Sequence, residues 1–184
     1  MDHRNQSTPR FTYNRGTLEI MSPSVTHERL NRLIALLVEV VAEELGIEID
    51  DLGSTTFKRE DLQRGFEPDS CFYIENLEKI RGKSDFDLSV DPPPDLVVEI
   101  DITSSSLEKF SIYSHLGVPE VWRFDGSRLL IFNLVERQYV VSNEGRSFPG
   151  LSADLISKLL EQSRSLKRLA WIKLIRESVK RKAQ

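Results

Sequence analysis

The amino-acid sequence predicts an α/β fold, because stretches of helical period alternate with stretches of strand period along the chain. Leu30, Leu33, Ile34, Leu37, Val40, Val41 and Leu45 recur at helical spacing. The run Asp95-Leu96-Val97-Val98-Glu99-Ile100-Asp101 has the period of a strand, with Leu96, Val98 and Ile100 on one face and Asp95, Val97, Glu99 and Asp101 on the other. Beyond it a second helical stripe, Lys109, Ile112, Tyr113 and Leu116, gives way to two β-prone runs around Asp125-Gly126, a strong hairpin signal.

With 184 residues, 39% of them hydrophobic and 29% charged, the chain can form one globular domain that buries about 70% of its unfolded surface. The expectation is a single domain over residues 1–184, with a core from about 11 to 160 and a basic amphipathic helix from about 163 to 181. One cysteine, Cys71, excludes an intramolecular disulfide framework, and the polar start from Met1 to Arg10 lacks the apolar core of a signal peptide. No apolar run approaches the roughly 20 residues needed to span a bilayer. A cytoplasmic protein without membrane contact is expected. The net charge of −4 divides unevenly: Ser163 to Gln184 carries +7 and the rest −11. By charge alone, then, the body is no general nucleic-acid binder, and any DNA contact falls to the basic tail or a local patch.

In order, Phe11 to Met21 reads as a hairpin turning at Asn14-Arg15-Gly16. Ser22-Pro23-Ser24 supplies caps for the first long helix, which Gly46 stops. His27 and Glu28 fall in its first turn, His27 at the edge of the apolar stripe and Glu28 away from it, where the helix dipole favours a carboxylate. Ser54 to Arg59 reads as a strand and Asp61 to Gly65 as a turn. Pro68 sets an extended entry into a strand on which Asp69, Cys71 and Tyr73 share a face, with Ser70, Phe72 and Ile74 opposite. The polar connection Glu75 to Pro94 ends in three prolines, too stiff for a central strand. After the acidic strand, Ser105 and Glu108 have capping-box spacing, so a helix should run from about Ser106 to Leu116 and stop at Gly117. Glu120 to Phe124, Leu129 to Leu134 and Gln138 to Ser142 read as strands, with Trp122 and Phe124 in the core. A helix from near Ser152 to about Lys180, broken near Ser163, closes the chain. Its part from Leu166 to Val179 is apolar nearly all round, a pattern for burial on two sides or for contact with a partner subunit.

The chemistry concentrates in the acids. Residues two apart on a strand lie about 6 to 7 Å from one another, so Glu99 and Asp101 set two carboxylates side by side. Half-burying them is costly unless a cation or a basic side chain compensates, and the alternative is an edge strand with a solvated acidic face. Lys109, in the first turn of its helix, opposes the dipole, a small sign that it answers another charge. No glycine-rich phosphate loop, HExxH, zinc cluster or G-x-S-x-G elbow occurs. Acids and one lysine remain.

The ordered set Pro68-Asp69, Glu99-Ile100-Asp101 and a following helix with Lys109 resembles the PD-(D/E)xK nuclease superfamily. More closely, MSPSVTHE, EPDSCFYI, PDLVVEIDITSSSLEKFSIY and LGVPEVWRFDG are similar to the Uma-type restriction-endonuclease-like proteins of bacteria, over nearly the whole chain from Phe11 to Leu160. The resemblance implies a restriction-endonuclease-like core, a mixed sheet flanked by helices, and a Mg²⁺- or Mn²⁺-dependent endonuclease acting on DNA. Asp69 then takes the acid of the PD element and Glu99 that of the (D/E)xK element, both as metal ligands. Asp101 stands where the superfamily has lysine, so Lys109 becomes the replacement, with Glu28, His27 and Asp101 as supporting residues. Asp95, which also follows a proline, is a weaker alternative to Asp69. The substitution at 101 leaves open a catalytically inactive fold acting as a DNA-binding or protein-interaction module. Because such nucleases often pair two sites, a homodimer is expected, with the helix from Leu166 to Val179 as its candidate surface.

Overall fold

A computed structural model describes residues 10–59, 63–102 and 105–182. The chain opens with the predicted hairpin, β1 (Arg10–Asn14) and β2 (Thr17–Met21), turned by Arg15 and Gly16 with φ of 46° and 95°. Helix α1 (Val25–Leu45) starts where the Ser24 side chain accepts the His27 N–H and ends at Gly46, whose φ of 66° is left-handed. There follow β3 (Asp50–Asp51), β4 (Phe57–Arg59), β5 (Arg64–Phe66), β6 (Ser70–Tyr73), a short α2 (Leu77–Ile80), β7 (Leu96–Ile100), α3 (Leu107–Leu116), β8 (Glu120–Phe124), β9 (Leu129–Val135), β10 (Gln138–Ser142), α4 (Ala153–Gln162) and α5 (Arg168–Lys182).

A six-stranded mixed sheet in the order β10-β9-β8-β7-β6-β3 forms the centre. Within this sheet, among the described residues, only β7 and β8 pair in parallel, and α3 makes the crossover that a parallel pair requires. A four-stranded antiparallel sheet, β2-β1-β5-β4, stands beside it. The alternation of β7 works as the sequence predicts: Leu96, Val98 and Ile100 join α1, α4 and α5 in one apolar cluster. Val97 faces the other way, with Cys71 and Tyr73 of β6, Ile112 and Tyr113 of α3, and Phe57 and Phe66 of the smaller sheet. The central strand is thus buried on both faces, so the solvated acidic edge is excluded.

Several expectations are corrected. The strand expected from Ser54 is confined to β4, and the turn expected from Asp61 to Gly65 instead feeds β5 at Arg64, while Asp61 and Leu62 lie outside the described residues. The Ser105–Glu108 capping box does not form. Ser106 is the N-cap and makes no side-chain cap bond; both oxygens of Asp101 accept its backbone N–H at 3.0 Å, and the Ser105 hydroxyl accepts the Leu107 N–H at 3.3 Å. The predicted dimer surface is largely consumed within the chain: Trp171, Ile175 and Val179 are buried in the core, and Trp171 Nε1 donates to the Leu159 carbonyl at 2.6 Å. Part of the basic tail is likewise spent on α1, where Arg176 pairs with Glu43 and Glu44 at 2.7 and 2.6 Å and Lys180 reaches Glu44 at 3.3 Å. Among the described residues no helix is long and apolar enough to cross a membrane.

Candidate active site

Antiparallel pairing of Ser70 with Val98 brings Asp69, one residue before β6, opposite Glu99 of β7. Both carboxylates are buried, Asp69 at 1% and Glu99 at 2% exposure. Burial on this scale demands partners, and each oxygen has one. Asp69 Oδ2 accepts the backbone N–H of Ile100 at 2.7 Å, and Oδ1 accepts from Arg10 Nη1. Glu99 Oε2 accepts from Lys109 Nζ at 2.9 Å, and Oε1 accepts from the Tyr113 hydroxyl. Lys109 and Tyr113 are one helical turn apart on the buried stripe of α3, so a single helix face grips Glu99. Burial, with the neighbouring Glu99 charge second, pushes the Tyr113 hydroxyl well above its ordinary pKa, so it stays a donor.

Helix α1 closes the opposite side. Asn31 Nδ2 donates to the Asp69 carbonyl at 2.8 Å and its Oδ1 accepts the Ser70 hydroxyl at 2.9 Å, fixing the start of β6. His27 is buried, with Nε2 3.0 Å from Asp69 Oδ2, yet neither ring nitrogen makes an in-line hydrogen bond among the described residues. Burial first, and the Arg10 charge second, push its pKa down to about 4, so the imidazole is neutral at pH 7. Glu28 sits at the rim with its side chain 41% exposed, linked to Arg10 Nη2 at 3.3 Å and to Arg32 at 3.0 Å.

Asp69, Glu99, Lys109, His27 and Glu28 are therefore brought together, and Asp101 is not. Its carboxylate turns to Arg123 at 2.5 Å and to the start of α3. Asp95 is no alternative to Asp69: it accepts the backbone N–H groups of Ile74 and Asn76 at 2.7 and 2.9 Å and holds the turn after β6.

The sequence matches the Uma2 family model, described as "Putative restriction endonuclease", over residues 1–160. The chain belongs to the Uma2 family. The same fold appears in the crystal structure of a protein from Anabaena variabilis ATCC 29413, described as a putative nuclease belonging to DUF820, which is 16% identical. The alignment covers 85% of this chain and 94% of that one, with a TM-score of 0.60. Among curated proteins none matches.

In this Uma2 chain the residues that sequence reasoning missed are Arg10, Asn31 and Tyr113. Arg10 and Thr12 point inward from β1 while Phe11 and Tyr13 are exposed, the reverse of what hydropathy predicts. Tyr113 could have been found, since it shares the stripe of Lys109. The donor set suits a hard cation: Mg²⁺ is commonly held by about one or two carboxylates and keeps several waters. Among the described residues no three His, Cys, Asp or Glu side chains converge to cage an ion, so an ion shared by Asp69 and Glu99 would have to keep several of its waters.

Proposed function

We propose that this Uma2 protein is a divalent-metal-dependent endonuclease that hydrolyses DNA phosphodiester bonds, with Asp69, Glu99 and Lys109 as its catalytic residues. The observation that carries the reading is the facing of two buried carboxylates across β6 and β7 with a buried lysine 2.9 Å from one of them. Asp69 and Glu99 would hold Mg²⁺ or Mn²⁺, which supplies Lewis-acid charge at the phosphate and a more acidic attacking water. Lys109, fixed on α3, orients that water and restrains Glu99 together with Tyr113. His27, neutral and without an in-line bond, offers a ring nitrogen for a hydrogen bond beside Asp69. Glu28 marks the open side through which a DNA strand enters.

A second reading has its own support: Asp101 replaces the usual lysine, and all four carboxylate oxygens already have protein partners. A catalytically silent module that binds DNA or protein would keep such a saturated site. Incubating the protein with supercoiled, linear and branched DNA in Mn²⁺ separates the two. Cleavage of any substrate supports the enzyme, and binding without cleavage supports the module. A homodimer acting on both strands, in the cytoplasm, completes the proposal. Its surface is the exposed face of the hairpin, where Phe11 pairs with Ile20 and Tyr13 with Leu18.

A further inference from the structure

We infer that Arg10 is the resident counter-ion of the carboxylate pair, which a metal must displace from Asp69, and that the displaced guanidinium then holds a phosphate of the DNA backbone. The inference rests on the metal-dependent reading above and adds a residue to it. Arg10 is buried, ion-paired to Asp69 and Glu28, and within electrostatic reach of Glu99. Lys109 and Tyr113 are committed to Glu99, so Arg10 is the guanidinium that compensates Asp69.

The competition follows from position. Asp69 Oδ2 is taken by the Ile100 N–H, with His27 Nε2 3.0 Å away, and Oδ1 is the one Arg10 occupies. A metal ion and a guanidinium on that one oxygen would be like charges a few ångströms apart in a site with little water to screen them. Arg10 has somewhere to go. Glu28, already 3.3 Å from its other nitrogen and partly exposed, draws it toward the rim where a DNA strand would pass. There the planar fork of arginine matches phosphate oxygens in a way a point charge does not.

The test is Mn²⁺ binding by calorimetry without DNA, on wild type, Arg10→Met, Arg10→Lys and Asp69→Asn, followed by cleavage kinetics in saturating Mn²⁺. Arg10→Met should bind Mn²⁺ about 10- to 100-fold more tightly than wild type, the equivalent of one lost charged hydrogen bond. Its KM for DNA should rise by a larger factor than its kcat falls. Arg10→Lys, which keeps a charge that cannot bridge Asp69 and Glu28, should bind Mn²⁺ with intermediate affinity, and it decides the case if the methionine variant does not fold. Mn²⁺ affinity at or below wild type in both Arg10 variants, with loss in Asp69→Asn, removes the counter-ion and leaves the metal site standing. Tighter metal binding with an unchanged KM removes the phosphate role. No Mn²⁺ uptake by any of the four proteins overturns the metal reading and this inference together.

Discussion

Asp69, Asp95, Glu99 and Glu120 are all buried carboxylates, and their partners decide what each can do. Asp95 and Glu120 accept backbone N–H groups from turns and hold those turns in place. Glu120, at 0% exposure, takes Trp122 Nε1 at 2.5 Å and the backbone N–H groups of Arg146 and Ser147 at 2.6 and 2.9 Å. Glu120→Ala strands these buried donors, so it should cost roughly 3 kcal/mol or more. Thermal melts should register the loss, while the Mn²⁺-induced rise in Tm stays as in wild type. Asp69 and Glu99 differ in that each also pairs with a side-chain cation, Arg10 for Asp69 and Lys109 for Glu99. Cys71 illustrates the opposite limit: burial pushes its thiol far above the ordinary range. A thiol reagent such as DTNB should therefore label it only after unfolding, and rapid labelling of the folded protein would contradict the packing described. At this scale the acids were legible because proline and strand alternation mark them. Arg10 was not, since nothing local distinguishes an inward arginine on a short strand from a solvated one.

At the scale of elements, α3 links fold and chemistry. Its stripe of Lys109, Ile112, Tyr113 and Leu116 is buried as the spacing predicts, and the parallel crossover from β7 to β8 holds its first turns over Glu99. Lys109→Met keeps much of the apolar stem and removes the ammonium. It should reduce DNA cleavage by about 100-fold or more with little change in far-UV circular dichroism, and wild-type rates would refute the assignment. Tyr113→Phe keeps the ring and leaves Glu99 one donor short. A smaller loss of cleavage, with a stability cost of about 1 to 2 kcal/mol, is expected from denaturant melts. The cap of α3, not its start, departs from the spacing: local sequence suggested a box between Ser105 and Glu108, but Asp101, five residues upstream, reaches the backbone N–H of Ser106 instead. Helix α5 was ambiguous for a similar reason, because burial against α1 and α4 and burial against a second subunit leave one and the same apolar pattern.

For the whole molecule, the succession of helices and strands was readable from periodicity and the mixed sheet flanked by helices only from the family resemblance, whereas the division into a six-stranded and a four-stranded sheet depends on pairings between distant short strands that no local pattern encodes. The exposed hairpin face is the surface proposed for the homodimer. Light scattering at micromolar concentration should give twice the 21.2 kDa of the chain, and Leu18→Glu with Ile20→Glu should return it to the monomer mass. A monomer in the wild type would confine the activity to single sites. The central claim, that Asp69 and Glu99 form a metal-dependent nuclease centre, is tested most directly by the initial rate of supercoiled-plasmid nicking in Mn²⁺ for wild type beside Asp69→Ala. The account predicts nicking that requires the metal and disappears in the variant. Nicking that persists at the wild-type rate in folded Asp69→Ala, or none by wild type on any DNA, would contradict it.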